Sequence, residues 1–287
     1  MRLHLLGSEG ILGSTVYMRL RRHYDIFTYG RVGGAASFHI DINKPGVALA
    51  AWVRENDVVV NCIGMLKPTI DVTSVEDAIN TNSLLPHRLA NFCKYSKAKL
   101  FNFSSDCVFA GKDTVGGVGY VESDTPDAVD VYGKSKSLGQ PEYGMTIRTS
   151  FIGPEVRDNP RGLLQWVLSS KDIIKGYTNC YWNGVTTLQL ADCIKKILDN
   201  RWYDNGLYHI YSPDKNLSKY ELCTMINDVY GLGLTVEEQQ ATQIMNTKIN
   251  GVLNRTLSSD FELCEQLDIP DILTQLKYQK EWHESRL

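Results

Sequence analysis

Several features that mark large classes of protein are missing from this sequence. There is no Cys-x-x-Cys pair, and the seven cysteines (Cys62, Cys93, Cys107, Cys180, Cys193, Cys223 and Cys264) are odd in number and scattered. The six histidines form no ligand spacing with them. These absences argue against a disulfide framework or a zinc site, and no metal is expected. The thiols read instead as small buried hydrophobes of a reducing compartment. No apolar run approaches the ~20 residues that span a bilayer. The opening MRLHLLGSEG has too short an apolar stretch for a signal peptide, so a soluble, cytoplasmic protein without a membrane partner is expected. Positive charge is not in surplus either. Thirty Lys+Arg stand against 33 Asp+Glu, a formal net charge of −3, which gives no footprint for nucleic acid. Internal repeats and low-complexity linkers are absent too.

What remains is a chain of 287 residues, 43% hydrophobic and 22% charged, too apolar for disorder. That length is near the upper limit of one hydrophobic core, so one large domain with a smaller appendage, or two domains, is expected. The first half alternates strand-like and helix-like segments. RLHLL (2–6), DIFTY (25–29), DVVVNCI (57–63), KLFNFSS (99–105) and MTIRTSFI (145–152) read as strands. Residues 11–22, 75–96 and 131–140 carry apolar side chains near helical spacing. Near-continuous apolar strands separated by helices imply a parallel, doubly wound α/β sheet. In the second half, helices are expected at 161–175, 187–199, 218–231 and 259–267, with a strand at 206–212. Trp166, with Leu163 and Val167, reads as core. His209 reads as a satisfied core histidine and Lys67 as a loop charge. Tyr177, Tyr181 and Trp182 are placed at the border of the site or in the core with equal weight.

Gly7-Ser8-Glu9-Gly10-Ile11-Leu12-Gly13 lies between the first strand and the first helix. Spaced glycines there allow a tight turn and let a pyrophosphate approach the helix N-terminus. NAD sites usually carry an acidic residue after the second strand; here the segment reads Thr28-Tyr29-Gly30-Arg31. A guanidinium matches a 2′-phosphate, so NADPH is expected ahead of NADH. Asp41 and Ile42, after a third strand, are placed beside the adenine. Tyr132 and Lys136 are four apart on an expected helix and share a face. A lysine ammonium beside a phenol favours the phenolate and should lower its pKa. With a hydroxyl from Ser105, the pair could protonate a carbonyl oxygen while a hydride arrives from nicotinamide.

The order of these motifs resembles the extended short-chain dehydrogenase/reductase family, and within it the nucleotide-sugar 4-keto reductases of the dTDP-4-dehydrorhamnose reductase type. Ser104-Ser105-Asp106-Cys107-Val108-Phe109 is similar to their Ser-Thr-Asp-Tyr-Val-Phe. Gly119-Tyr120-Val121-Glu122-Ser123-Asp124-Thr125-Pro126, then Val131-Tyr132-Gly133-Lys134-Ser135-Lys136, and Ile147-Arg148-Thr149-Ser150-Phe151 are similar to later motifs. The match is looser around Gly184-Val185-Thr186 and Asn254-Arg255-Thr256-Leu257. The resemblance implies a Rossmann-like sheet over residues 1–153, with later contributions near 185–212, and a smaller, mainly substrate-binding lobe over 154–287. It implies NADPH-dependent reduction of the C4 ketone of a nucleotide-diphosphate 4-keto-6-deoxy sugar. Ser105, Tyr132 and Lys136 would be the catalytic trio. Gly7, Gly10, Ile11, Leu12 and Gly13 would cradle the pyrophosphate. Arg31, Asp41 and Ile42 would meet the adenosine, and Gly64 and Met65 would line the cofactor. Ser105, Asp106, Cys107, Phe151 and Arg255 would touch the sugar nucleotide, and a homodimer is compatible. Cys107 replaces the usual tyrosine. GDP-fucose synthase and the UDP-rhamnose epimerase/reductases carry a cysteine there, which opens a bifunctional 3,5-epimerase/4-reductase alternative. The partner acid would then have to come from Lys171 or Lys175. Other family members bind NADP as catalytically silent regulatory subunits, a third reading.

Overall fold

A computed structural model describes residues 1–70, 73–111, 119–155, 162–244, 247–248 and 251–286. The glycine-rich 112–118 stretch lies outside the described residues. The first half runs β1 (Arg2–Leu6), α1 (Ile11–Leu20), β2 (Asp25–Gly30), β3 (Phe38–His39), α2 (Pro45–Leu49), β4 (Val58–Asn61), α3 (Lys67–Ile70) and α4 (Val75–Ala78). A π-helical turn at Ile79–Leu84 joins α4 to α5 (Leu85–Ser96). Then follow β5 (Lys99–Phe103), a 3₁₀ turn at Asp106–Val108, α6 (Val131–Leu138), β6 (Met145–Arg148) and β7 (Phe151–Ile152). The second half runs α7 (Leu163–Ser169), β8 (Ile173–Tyr177), β9 (Cys180–Tyr181), β10 (Val185–Thr186), α8 (Thr187–Asp199), β11 (Gly206–His209) and α9 (Lys219–Tyr230). It continues with β12 (Thr235–Gln239), the hairpin β13 (Gln243–Ile244) and β14 (Thr247–Lys248), β15 (Leu253–Asn254), α10 (Leu263–Leu267) and α11 (Ile272–Glu284). Among the described residues, no helix is long and apolar enough to cross a membrane.

Seven strands form one parallel sheet in the order β11-β6-β5-β4-β1-β2-β3. The chain reverses its winding between β1 and β4, the switch point at which doubly wound folds bind ligands. Alternation along the strands decides which helices cover which face. Leu3, Leu5, Val58, Val60, Phe101 and Ile147 point to one side, where Val16 and Leu20 of α1 meet Leu190, Ile194 and Ile197 of α8. Leu6, Tyr29, Val59 and Leu100 point to the other, against Leu49, Leu85, Leu89 and Cys93. Each aliphatic side chain buried in this way contributes ~1.5–3 kcal/mol of transfer free energy. A third cluster is built from Ile152, Leu164, Trp182, Leu222, Ile226, Ile272 and Leu276.

The structure departs from the sequence pattern in four places. The expected strand 145–152 breaks after Arg148. Phe151–Ile152 leaves the large sheet and pairs with Val185–Thr186 instead. The helix expected over 161–175 ends at Ser169, and Ile173–Tyr177 is a strand paired with Thr235–Gln239. Trp166 lies on the outer face of this short helix, 45% exposed, and is not core. The final helix α11 escapes the periodicity because two of its buried positions are polar. Gln275 accepts from the Thr186 N–H at 2.9 Å, and Gln279 accepts from the Thr187 hydroxyl at 3.3 Å.

One buried carboxylate ties the start of β1 to the turn before β4. Asp57 accepts from the Arg2 N–H (3.0 Å), from Arg2 Nε and Nη2 (3.1 and 2.8 Å), and from the Arg54 N–H (2.9 Å). Burial pushes its carboxyl up, but these donors outweigh it and hold the group down to about 2. A depressed carboxylate stabilises the fold above its ordinary value near 3.8, and that stability is lost as pH falls from about 4 through about 2. Urea unfolding across that window should show this loss. Asp57→Asn should remove this component of the acid sensitivity and lower stability at neutral pH by on the order of 2 kcal/mol.

Candidate active site

The glycine loop turns tightly because its neighbours leave no room. Gly7 sits at φ +77°, donates to the Tyr29 carbonyl at 2.9 Å, and its own carbonyl accepts from the Gly10 N–H at 3.0 Å. A Cβ on Gly13 would fall 2.1 Å from the Gly7 oxygen, so the α1 backbone presses directly on the turn. Helix α1 starts at Gly10 without a side-chain cap. Ile11 and Leu12 thus open a helix whose first N–H groups face the end of the sheet, a geometry that fits a pyrophosphate. The far side of Gly7 abuts the Cys62 carbonyl, which would stand 3.1 Å from a Cβ placed on this glycine. That contact brings the Cys62–Met65 segment into the same crevice.

Ser105 follows β5 and caps the 3₁₀ turn. Its hydroxyl accepts from the Cys107 N–H at 3.1 Å and donates to Asp106 at 3.0 Å. Tyr132 lies in the first turn of α6, with its phenol close enough to the Ser105 hydroxyl for that group to act on it. Lys136, one turn later, is 9% exposed and donates its ammonium to the Phe103 carbonyl at 2.6 Å. A Cβ on Gly64 would stand 3.8 Å from that nitrogen. Lys136 therefore lies beside Gly64, with Tyr132 one turn earlier on the same helix and near Ser105, and Met65 is held by Asn82 through bonds of 2.8 and 3.1 Å.

The electrostatics differ from the expectation for Tyr132. Burial raises its pKa, with the Cys107 thiol, Asp106 and Asp130 adding to the rise and the Ser105 hydroxyl opposing it. The ammonium that should have lowered it is engaged by Phe103. Burial lowers Lys136 to about 8. Cys107 is pushed up to about 11, by burial first and by Asp106 next, against the opposing pull of Arg255. Arg255 reaches the Cys107 sulfur at 3.5 Å and donates to the Phe109 carbonyl at 2.9 Å. Asp106 is buried in the same turn. Phe151 is half-buried on β7 and packs on the sheet core.

Other expected residues lie apart from this cluster. Arg31 is exposed just beyond β2. Asp41 is exposed and caps the Asn43 N–H at 2.8 Å, while Ile42 packs on the core between the sheet and α5. Lys171 and Lys175 are exposed. His209 is fully buried, and its Nδ1 lies 2.7 Å from the Ser258 carbonyl. The motif residues Glu122 and Arg148 belong to that same buried network. Glu122 accepts from the His209 N–H at 2.7 Å, and Arg148 reaches the Glu122 carbonyl at 3.3 Å.

Four residues at the site escape sequence reasoning. Lys67 is not a loop charge but an ion-pair partner of Asp130 at 3.1 Å, and Asp130 caps α6 through the Gly133 N–H. Asn82 lies in the π-helical turn and donates to Ser135 of α6 at 3.1 Å. Lys219 opens α9 with its ammonium 4.7 Å from the centre of the buried Trp182 ring. Burial lowers its pKa, and the charges of Asp106 and Cys107 act on it. The capping-box spacing Ser218-x-x-Glu221 marks where α9 starts, but not what its first residue faces.

A buried amine lowered to about 8 makes the unfolded chain bind more protons between about 8 and 10.5. Stability then rises with pH across that window. Urea titrations of the dinucleotide-free protein at successive pH values should show this contribution, and Lys136→Met should abolish it.

The sequence matches the family described as "RmlD substrate binding domain" over residues 1–263. It is 24% identical over 251 residues to methionine adenosyltransferase 2 subunit beta of Danio rerio, covering 80% of this chain and 74% of that protein. It is 26% identical over 184 residues to "Probable low-salt glycan biosynthesis reductase Agl14" of Haloferax volcanii, covering 59% of this chain and 60% of that one. In fold it is similar to dTDP-4-dehydrorhamnose reductase of Bacillus anthracis in complex with NADP. That pair has a TM-score of 0.77 and 17% identity, with 98% of this chain and 99% of the other covered. With a family match spanning nearly its whole length and a seven-stranded parallel sheet to go with it, the chain belongs to the RmlD family of extended short-chain dehydrogenase/reductases.

Proposed function

We propose that this protein reduces the C4 ketone of a nucleotide-diphosphate 4-keto-6-deoxy sugar at the expense of a reduced nicotinamide dinucleotide. The observation that carries the reading is Lys136 beside Gly64, with Tyr132 one turn away and near Ser105, in a segment that the Gly7–Cys62 contact links to the glycine loop. When bound, the reduced nicotinamide supplies the hydride for the new C–H bond. Tyr132 gives the proton: a phenol whose pKa is raised keeps its proton at neutral pH and can release it to a developing alkoxide. Ser105 donates to the same oxygen and polarises the carbonyl. Lys136, still mostly protonated at neutral pH, holds the nicotinamide ribose.

In this reading residues 1–153 hold the dinucleotide with help from 185–212, and residues 154–287 mainly face the sugar. Arg31 is the group that could meet a 2′-phosphate if NADPH is the donor. Asp106, Phe151 and Arg255 line the sugar-nucleotide side. Cys107 at about 11 stays a neutral thiol near pH 7 and is a poor base, which supports a packing role against Arg255 over epimerase chemistry. A catalytically silent, NADP-binding subunit is the second reading. The likeness to methionine adenosyltransferase 2 subunit beta favours it. The full catalytic trio favours the enzyme.

Oxidation of NADH and NADPH should be followed with dTDP-, UDP-, GDP- and CDP-linked 4-keto-6-deoxyhexoses. Tyr132→Phe should lower turnover by roughly two to four orders of magnitude while dinucleotide affinity stays within a few-fold. Dinucleotide binding without turnover on any of these sugars would favour the silent subunit, and undiminished turnover in Tyr132→Phe would remove its assigned role. In deuterated solvent the product should carry no label at C3 or C5. Label that disappears in Cys107→Ser would instead make the protein an epimerase as well.

A further inference from the structure

Lys219 opens α9 in the run Leu217-Ser218-Lys219-Tyr220-Glu221, and its position is fixed from several sides. The Ser218 hydroxyl accepts from the Glu221 N–H at 3.1 Å, and the Glu221 carboxylate accepts from the Ser218 N–H at 2.8 Å, which locks the helix start. Ser218 bridges to Tyr181, and the Trp182 N–H donates to the Leu217 carbonyl at 2.8 Å. A Cβ on Gly176 would fall 2.5 Å from the Tyr220 Cα, so the helix start lies directly on β8. Strand β9 also pairs with β15, the strand that Arg255 follows. Two cations distant in sequence are thus carried by β9 toward the turn after Ser105.

An ammonium is poorly placed at this point. The first turn of a helix is the positive end of its dipole. Lys219 is half-buried, and burial lowers its pKa. The Trp182 ring covers one side of the ammonium, its centre 4.7 Å away. Among the described residues the ammonium makes no hydrogen bond and no ion pair. The thiols around it, Cys107, Cys180 and Cys223, are all raised by burial and stay neutral near pH 7. Asp106 is the first charge that acts on it, yet the two form no ion pair. Asp106 meanwhile accepts the Ser105 hydroxyl at 3.0 Å. A group that can only donate and a group that can only accept therefore stand apart beside Ser105.

We propose that Lys219 reads the sugar ring, donating to a hexose hydroxyl that in turn donates to Asp106. The inference rests on the assignment of Ser105 to the sugar ketone. A hydroxyl accepts and donates, so one such group satisfies the ammonium and the carboxylate together. A phosphate oxygen at neutral pH only accepts, and it would meet Asp106 as a like charge. The ring is the part of a sugar nucleotide that suits this place.

Calorimetry tests the assignment without turnover, using UDP, dTDP, GDP and CDP beside UDP-glucose, dTDP-glucose, GDP-mannose and CDP-glucose, which carry ring hydroxyls and no ketone. Wild type should bind at least one hexose form about tenfold more tightly than its nucleoside diphosphate, in line with a hydrogen bond to a charged donor. Lys219→Met should cancel most of that gain while affinity for the nucleoside diphosphate stays within about twofold. Lys219→Gln keeps N–H donors at similar reach, and should lose about threefold of the gain; it serves the same comparison should Lys219→Met fail to fold. A hexose gain that survives both substitutions would overturn the proposal, as would a wild type that gains nothing from the hexose. An equal loss for the diphosphate alone would move Lys219 to the phosphates and overturn it too. Failure of the folded wild type to bind any nucleotide or nucleotide sugar would remove the proposed substrate class itself, and this inference with it.

Discussion

The ammonium of Lys136 on the carbonyl of Phe103 is the contact around which the site is arranged. Phe103 ends β5, where the ladder runs out of strand partners. A buried carbonyl left there without a donor would cost about 1–3 kcal/mol. Lys136 satisfies it, and in doing so fixes the distance between the sheet and α6. Tyr132, one turn earlier on the same face, is thereby brought to Ser105. The close approach is permitted by small residues. A Cβ on Gly133 would fall 2.3 Å from the Cys107 carbonyl, and one on Gly139 would fall 1.8 Å from that of Asn82. The π-helical turn supplies the opposing wall, with Asn82 and Ser83 both bonded to Ser135. An interruption of regular helix at such a place is a common mark of functional sites.

Local pattern carried most of the first half. Five of the strands and the helices α1 and α6 were legible because burial on both faces of a parallel sheet leaves near-continuous apolar runs. The turn of the glycine loop, and the shared helix face of Tyr132 and Lys136, were legible because each follows from local spacing. Pairing across the chain was not legible. Nothing local tells Phe151–Ile152 to abandon the sheet for Val185–Thr186, or the polar TVEEQ segment to pair with Ile173–Tyr177. Helix α11 was hidden by Gln275 and Gln279, buried polar residues that serve the Thr186–Thr187 helix start rather than the apolar stripe.

The charge of the site was likewise out of reach. A net charge of −3 says nothing about a crevice in which Asp130 pairs with Lys67 and the charge of Asp106 acts on both Arg255 and Lys219. The sequence shows each charge, and only the fold shows its company. That company explains why Arg255 differs from an ordinary surface arginine. Its guanidinium spans Cys107 and the Phe109 carbonyl, and so ties the last short strand to the turn that carries Ser105.

The edge strand β11 has a consequence for how the molecule comes into being. It arrives at residue 206, about 60 residues after the β6 strand it covers. Until it does, β6 presents an open row of backbone donors and acceptors, and Arg148 lacks its His209 neighbour. Closing so long a loop costs conformational entropy before any contact repays it. A nascent chain that has reached only β6 is therefore an unfinished sheet with an adhesive edge. Helices α7 and α8 and the short strands between them are built inside the very loop whose closure completes the seven-stranded sheet. Neither half can have matured as an independent module, and chaperone dependence during synthesis should track the time taken to translate residues 149–209.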